Sequence, residues 1–83
     1  MEQEVLKISD VATLKALSSP VRMRILGLLR NGGKRTVGQI SAQTGIAPGS
    51  ASYHLQKLEE VGLVRRVDYD EGDHRQSWWE TSR

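Results

Sequence analysis

The chain has 83 residues, with ten acids, twelve lysines and arginines, and no cysteine. That length allows one small domain, and the lack of cysteine excludes both a disulfide framework and a thiolate metal site. No apolar run approaches membrane-spanning length, and the amino terminus, with acids at Glu2 and Glu4, does not have the form of a secretory signal, so a soluble cytoplasmic protein without a membrane partner is expected. The net charge of +2 is modest, but its distribution is not even. Between Val11 and Leu58 every charged side chain is basic: Lys15, Arg22, Arg24, Arg30, Lys34, Arg35 and Lys57. Such a stretch suits a polyanion partner.

In chain order, Ser9 can cap a first helix from Asp10, whose charge suits a first turn. Val11, Leu14 and Leu17 then recur at helical spacing as a short apolar stripe. Ser19-Pro20 starts a second helix, with Val21, Ile25, Leu28 and the adjacent Leu29 as its buried stripe. Asn31-Gly32-Gly33 closes it, glycine tolerating the left-handed conformation of a helix end. Thr36 and Gln39 have capping-box spacing, which predicts a short third helix with Val37, Ile40 and Ala42 inward, stopped by Thr44-Gly45.

After the tight link Ile46-Ala47, Pro48 opens a fourth helix. Ala51, Leu55 and Leu58 fall at i, i+4 and i+7 and mark its buried stripe, and Gly62 ends it. Gly49, Ser52, Tyr53 and Gln56 fall on the opposite face, with Ser50, His54 and Lys57 along one flank. Beyond Gly62 the period changes to that of strands, Leu63 to Tyr69 and His74 to Trp79, joined by the acidic turn 70–73. The expected fold is α+β, mainly α: four helices followed by a two-stranded β-hairpin. One domain is expected over 1–83, with a helix-turn-helix at about 37–61 and the hairpin, or wing, at about 63–79.

Two short helices joined by a minimal turn let the first hold the second at a fixed angle, so that its N-terminal half can enter a major groove. Gly49, Ser50 and Ser52 let the backbone approach a duplex closely. Tyr53 and Gln56 are long enough to reach bases, and the Gln56 amide suits bidentate pairing with adenine. Pro48 leaves the amides of Gly49 and Ser50 free at a positive helix end, where a phosphate can bind. With Thr36 before the third helix, Lys57 on the flank, and His74 and Arg75 on the wing, these are the candidate DNA contacts. Acids at 68, 70, 71 and 73 should keep the rest of the wing turn away from phosphates.

The run "LKALSSPVRMRILGLLRNGG", followed by "TVGQISAQTGIAPGSASYHLQKLEEVGLVRRV", resembles the ArsR-type winged helix-turn-helix transcriptional regulators. Pro20, Arg22, Ile25 and Leu26 match the family's Pro-x-Arg-x-x-Ile-Leu run. Ser52, His54, Leu55 and Leu58 match its recognition-helix signature, with Tyr53 in place of a histidine, and Gly62-Leu63-Val64 matches the helix-to-wing junction. The similarity runs from about Leu14 to Trp79. It implies a homodimer on an inverted-repeat operator, regulating a promoter, with repression expected. The family's metal sensors carry cysteines on the first helix of the pair, where Val37 to Ser41 has none, or ligands on a helix after the wing. Metal sensing and any cofactor are therefore not expected. An end just past the wing suggests a module of a longer protein, weakly dimeric or monomeric by itself. Trp78 and Trp79 fall where the family closes its wing with aromatics, and alternation sends one ring inward.

An enzyme is not expected. Gly33-Lys34 resembles a phosphate-binding loop, but Leu28 stands where its first glycine belongs and Arg35 where Ser or Thr is needed. The alternative is a winged helix used for protein–protein contact, which shares the fold and should carry more apolar anchors on the outer face of the fourth helix. RNA binding would call for aromatic platforms on a sheet, which the pattern lacks.

Overall fold

The computed structural model describes residues 11–71 and 74–82. Four helices, α1 (Val11–Leu17), α2 (Pro20–Gly32), α3 (Val37–Thr44) and α4 (Pro48–Glu60), precede strands β1 (Val64–Glu71) and β2 (His74–Thr81). The expected four helices and hairpin are therefore present, the wing running two residues further than the pattern predicts. The predicted cap at Ser9 and start at Asp10 lie outside the described residues.

The helix boundaries follow from side chains that satisfy free backbone groups. The Ser19 hydroxyl accepts the Arg22 amide at 3.3 Å, and Pro20 occupies the first turn of α2. At α3 both halves of the capping box form: Thr36 Oγ1 accepts the Gln39 amide at 3.1 Å, and Gln39 Oε1 accepts the Thr36 amide at 3.0 Å. Gly45 closes α3 in the left-handed region (φ 78°, ψ 7°). Gly33 also has positive φ, 84°, but its ψ of −169° turns the chain outward rather than into the left-handed helical cap that the sequence suggests.

The core takes Ile25, Leu26 and Leu29 from α2, Ile40 from α3, Ala51, Leu55 and Leu58 from α4, Val64 from β1 and Trp79 from β2. The stripe predicted for α4 is the observed one. On α2 the buried stripe is shifted: Leu26 joins Ile25 and Leu29 inside, while Val21 and Leu28 are only partly covered. This helix packs against α1, α3, α4 and β2 together, so it needs a wider apolar face than a single stripe. Ala42 is exposed, not inward, because the short α3 buries only Ile40 fully.

On α1 the inward residues are Thr13 and Ala16, while Val11 and Leu14 stand 66% and 47% exposed. The predicted stripe is therefore split: Leu17 packs against the core, while Val11 and Leu14 face away from it. The two strands pair antiparallel, from Val64 opposite Thr81 to Glu71 opposite His74. Arg35 adds a short third pairing that the sequence pattern does not announce. Its amide donates to the Trp79 carbonyl at 2.9 Å and its carbonyl accepts the Trp79 amide at 2.8 Å, tying the wing base to the entry of α3.

Candidate nucleic-acid interface

The turn between α3 and α4 is held by side chains on all sides. The Ser41 hydroxyl donates to the Ile46 carbonyl at 2.6 Å, and the Thr44 hydroxyl donates to the Ile40 carbonyl at 2.7 Å while accepting the Ile46 amide at 3.2 Å. From α2, Arg24 donates to the Thr44 carbonyl at 3.2 Å. With its backbone groups so engaged, the link fixes the angle of α4 against α3.

Ala51, Leu55 and Leu58 on α4 have no exposed surface, so the opposite side of the helix must face outward. Pro48, Gly49, Ser50, Tyr53 and Gln56 are exposed, and Ser52, His54 and Lys57 are half-buried. The N-cap residue is Ala47, which offers no side-chain acceptor to the amides of the first turn. Thr36 lies half-buried at the start of α3, its hydroxyl oxygen occupied by the Gln39 amide and its O–H still able to donate.

Tyr53 lies among cations and an imidazole. The Arg22 guanidinium is 5.9 Å from its ring centroid and the Lys57 Nζ is 5.5 Å away, both within cation–π range. The His54 ring packs edge-on against it, with centroids 5.5 Å apart. Arg22 Nε also donates to His54 Nδ1 at 3.0 Å. Burial first, and then the nearby Arg22 charge, hold His54 below its ordinary value, which disfavours its charged form. A depression of about 270 Å³ between α1, α2 and α4 carries Lys15, Arg22 and Lys57, with Glu60 as the acid among its lining residues. Lys57 is 3.7 Å from Glu60, a half-exposed pair worth little in stability.

On the wing, Arg65 pairs with Glu80 at 2.7 Å, Arg66 approaches Asp68 at 3.4 Å, and the Ser77 hydroxyl donates to Asp68 at 2.7 Å. These contacts offset part of the acidity that the sequence places there. His74 and Arg75 open β2 opposite Glu71 and Asp70. Their side chains lie outside the described residues. Trp79 is the inward ring and Trp78 the partly covered one, with Lys34 5.9 Å from its centroid.

The predicted contacts thus divide. The structure brings Pro48, Gly49, Ser50, Ser52, Tyr53, Gln56 and Lys57 together on one helix, with Thr36 on the neighbouring one. Arg22, which packs against Tyr53 and His54 of this group without being one of the predicted contacts, was missed. Its signal was its place in the Pro-x-Arg run, but nothing local shows that α2 would carry it against α4. Arg35, which also donates to Gln43 Oε1 at 3.1 Å and to the Gly32 carbonyl at 2.6 Å, stood out in the sequence only as one of the basic residues, with nothing to announce these contacts.

A family model described as a helix-turn-helix domain matches residues 17–67. The chain is 38% identical over 61 residues to the transcriptional repressor SdpR of Bacillus subtilis, covering 74% of this chain and 59% of that protein. It is 34% identical over 53 residues to the HTH-type transcriptional regulator YgaV of Escherichia coli, covering 64% and 54%. The chain therefore spans just over half the length of these curated relatives. Among solved structures, the homodimeric winged helix-turn-helix DNA-binding domain Mb0332 of Mycobacterium bovis, described as a possible ArsR-family regulator, superposes with a TM-score of 0.73 at 30% identity, covering 99% of this chain and 75% of that one.

Proposed function

Because the chain belongs to the ArsR family of winged helix-turn-helix transcriptional regulators, a non-enzymatic family, we propose that it binds double-stranded DNA sequence-specifically and represses the promoter carrying its site. One observation carries this reading. The outer face of α4 begins with small residues, continues with the longer Tyr53 and Gln56, and has no acid before Glu59. That face suits close approach to a groove. Gly49 and Ser50 supply amides to a phosphate, Tyr53 and Gln56 reach base edges, and Thr36, Ser52 and Lys57 contact the backbone. His74 and Arg75 serve the wing's approach to the flanking backbone. Repression is supported by the name of the Bacillus subtilis relative. The cytoplasm is the compartment expected of a DNA-binding regulator of the kind found in Bacillus subtilis and Escherichia coli, which have no nucleus. No helix among the described residues is long and apolar enough to cross a membrane.

The protein acts as a homodimer on an inverted repeat, its half-sites roughly 34–36 Å apart. Support comes from the outward apolar face of α1 and from the homodimeric Mycobacterium bovis domain. Among the described residues, the two exposed apolar side chains of this seven-residue helix would bury far less than the roughly 1,200 Å² of a stable interface, which supports weak pairing through this face. We expect no metal sensing, because the chain has no cysteine to supply thiolate ligands. Zinc should leave its melting curve unchanged, and a stoichiometric tight site would contradict this.

The test is in vitro selection from random duplexes, followed by affinity measured against salt. An enriched motif should emerge. A single module should bind unselected duplex at about 10⁻⁴–10⁻⁶ M and weaken as salt rises. If no motif is enriched, sequence-specific binding is wrong and the fold serves protein contact.

A further inference from the structure

We infer that Arg22, on α2 and outside the helix-turn-helix, is a positioning residue that fixes Tyr53 of α4 in the pose that reads a base edge, using neutral His54 as its anchor. This deepens the proposed DNA binding and rests on Tyr53 being a base contact.

A tyrosine 53% exposed on a helix surface is ordinarily free to change rotamer. Here three groups confine it: His54 edge-on at 5.5 Å, Lys57 at 5.5 Å and Arg22 at 5.9 Å. His54 and Lys57 belong to α4 and move with it. Arg22 comes from another element and is held at a second point, its Nε donating to His54 Nδ1 at 3.0 Å. One planar guanidinium thus spans the imidazole and the phenol ring. A lysine keeps the charge but has no Nε–H fork to do both. Ordering a free side chain on binding costs about two- to tenfold in affinity, so a tyrosine already held in place favours the site that uses it.

The anchor has a protonation requirement. Nδ1 accepts a hydrogen bond, so the ring proton must sit on Nε2 and the ring must be neutral. Protonation removes the acceptor and places a second positive charge beside Arg22. Among the described residues, the charged groups around this cluster are Arg22 from α2, Lys57 and Glu60 on α4 itself, and Lys15 from α1 across the depression. Three of these four are cations, so the surroundings favour the neutral ring. Base discrimination should therefore weaken in acid through His54, by way of Arg22.

The experiment compares the 83-residue wild type with R22K, R22Q and Y53A, on the duplex enriched by wild-type selection and on a scrambled duplex. The His54 ring is followed by ¹H–¹⁵N NMR against pH. Thermal melts confirm that each variant is folded at the assay temperature. The wild-type imidazole should show the Nε2–H tautomer. R22K should keep wild-type affinity for scrambled DNA within about twofold, because its charge is retained, and lose about five- to tenfold in discrimination, within the contribution of one base contact. R22Q should lose the same discrimination and raise the His54 midpoint. Wild-type discrimination should fall as pH drops through that midpoint, and that of R22Q should stay flat. Wild-type discrimination in R22K, or an unmoved His54 midpoint in R22Q, overturns the inference while Y53A still tests the DNA reading separately. If Y53A itself discriminates like the wild type, Tyr53 reads no base and this inference falls with that part of the proposed function.

Discussion

Replacing Thr36 with alanine should affect stability and DNA binding by separable amounts. The substitution removes the acceptor of the Gln39 amide, 3.1 Å away, and leaves the reverse bond from the Thr36 amide to Gln39 Oε1. Losing an N-cap hydroxyl typically costs about 1 kcal/mol. A domain of this size loses about 4–8 °C in Tm per kcal/mol, so thermal unfolding by circular dichroism should shift down by about that much. Serine keeps the acceptor, and Thr36→Ser should restore most of the loss. The same hydroxyl has a free O–H that we assign to a phosphate. A hydrogen bond to a charged group contributes about 1.5–3 kcal/mol, so Thr36→Ala should weaken binding by at least about tenfold, measured well below Tm. The loss should be equal on selected and scrambled duplexes, because phosphates carry no sequence information. An unchanged Tm would refute the capping argument. A loss confined to the selected duplex would refute the phosphate contact.

Three further outcomes follow from the packing. Leu55 has no exposed surface and lies in the stripe that presents the outer face of α4, so Leu55→Ala should cost about 2–5 kcal/mol in urea unfolding. A loss under about 1 kcal/mol would mean that the core closes around the cavity without strain. Burial and then Arg22 hold His54 below its ordinary 6.5, so as pH falls the unfolded chain takes up this proton before the folded one does. The contribution of His54 to stability is complete above about pH 6.5 and is lost as pH falls through the folded midpoint. His54→Gln should flatten that limb of the stability curve, and an identical pH profile in the variant would count against it. Leu14→Glu should abolish whatever self-association sedimentation detects at high protein concentration, since it puts a charge on the outward face of α1; association that survives it would place the pairing surface elsewhere.

The parts of the fold legible in the sequence are those written in local chemistry. Ser19-Pro20, the Thr36–Gln39 box, Gly45 and Pro48 set boundaries through groups within four residues of one another, so spacing reveals them. The inner stripe of α4 was equally plain, because that helix has a single well-defined buried face. On α2 and α1 the pattern was less reliable for a physical reason. The second helix contacts four other elements, and the first turns Thr13 and Ala16 inward while leaving Val11 and Leu14 outside. Periodicity alone cannot tell a stripe that faces the core from one that faces a partner. The candidate site was legible on α4 itself, where Tyr53 and Gln56 fall opposite Leu55 and Leu58. The contribution of Arg22 was not, because its partner His54 is 32 residues away and only tertiary packing brings them together. The Arg35–Trp79 bridge was hidden for the same reason.

The claim that the outer face of α4 reads base edges is tested most directly by Gln56→Ala and Tyr53→Ala in equilibrium binding. Each variant is measured by fluorescence anisotropy on the selected duplex and on a scrambled one of equal length, across a range of salt. Neither side chain is charged, so the salt slope should not change. Each substitution should cost about 1–3 kcal/mol on the selected duplex and little on the scrambled one. Equal losses on both duplexes, or none on either, would contradict a base-reading role for this helix.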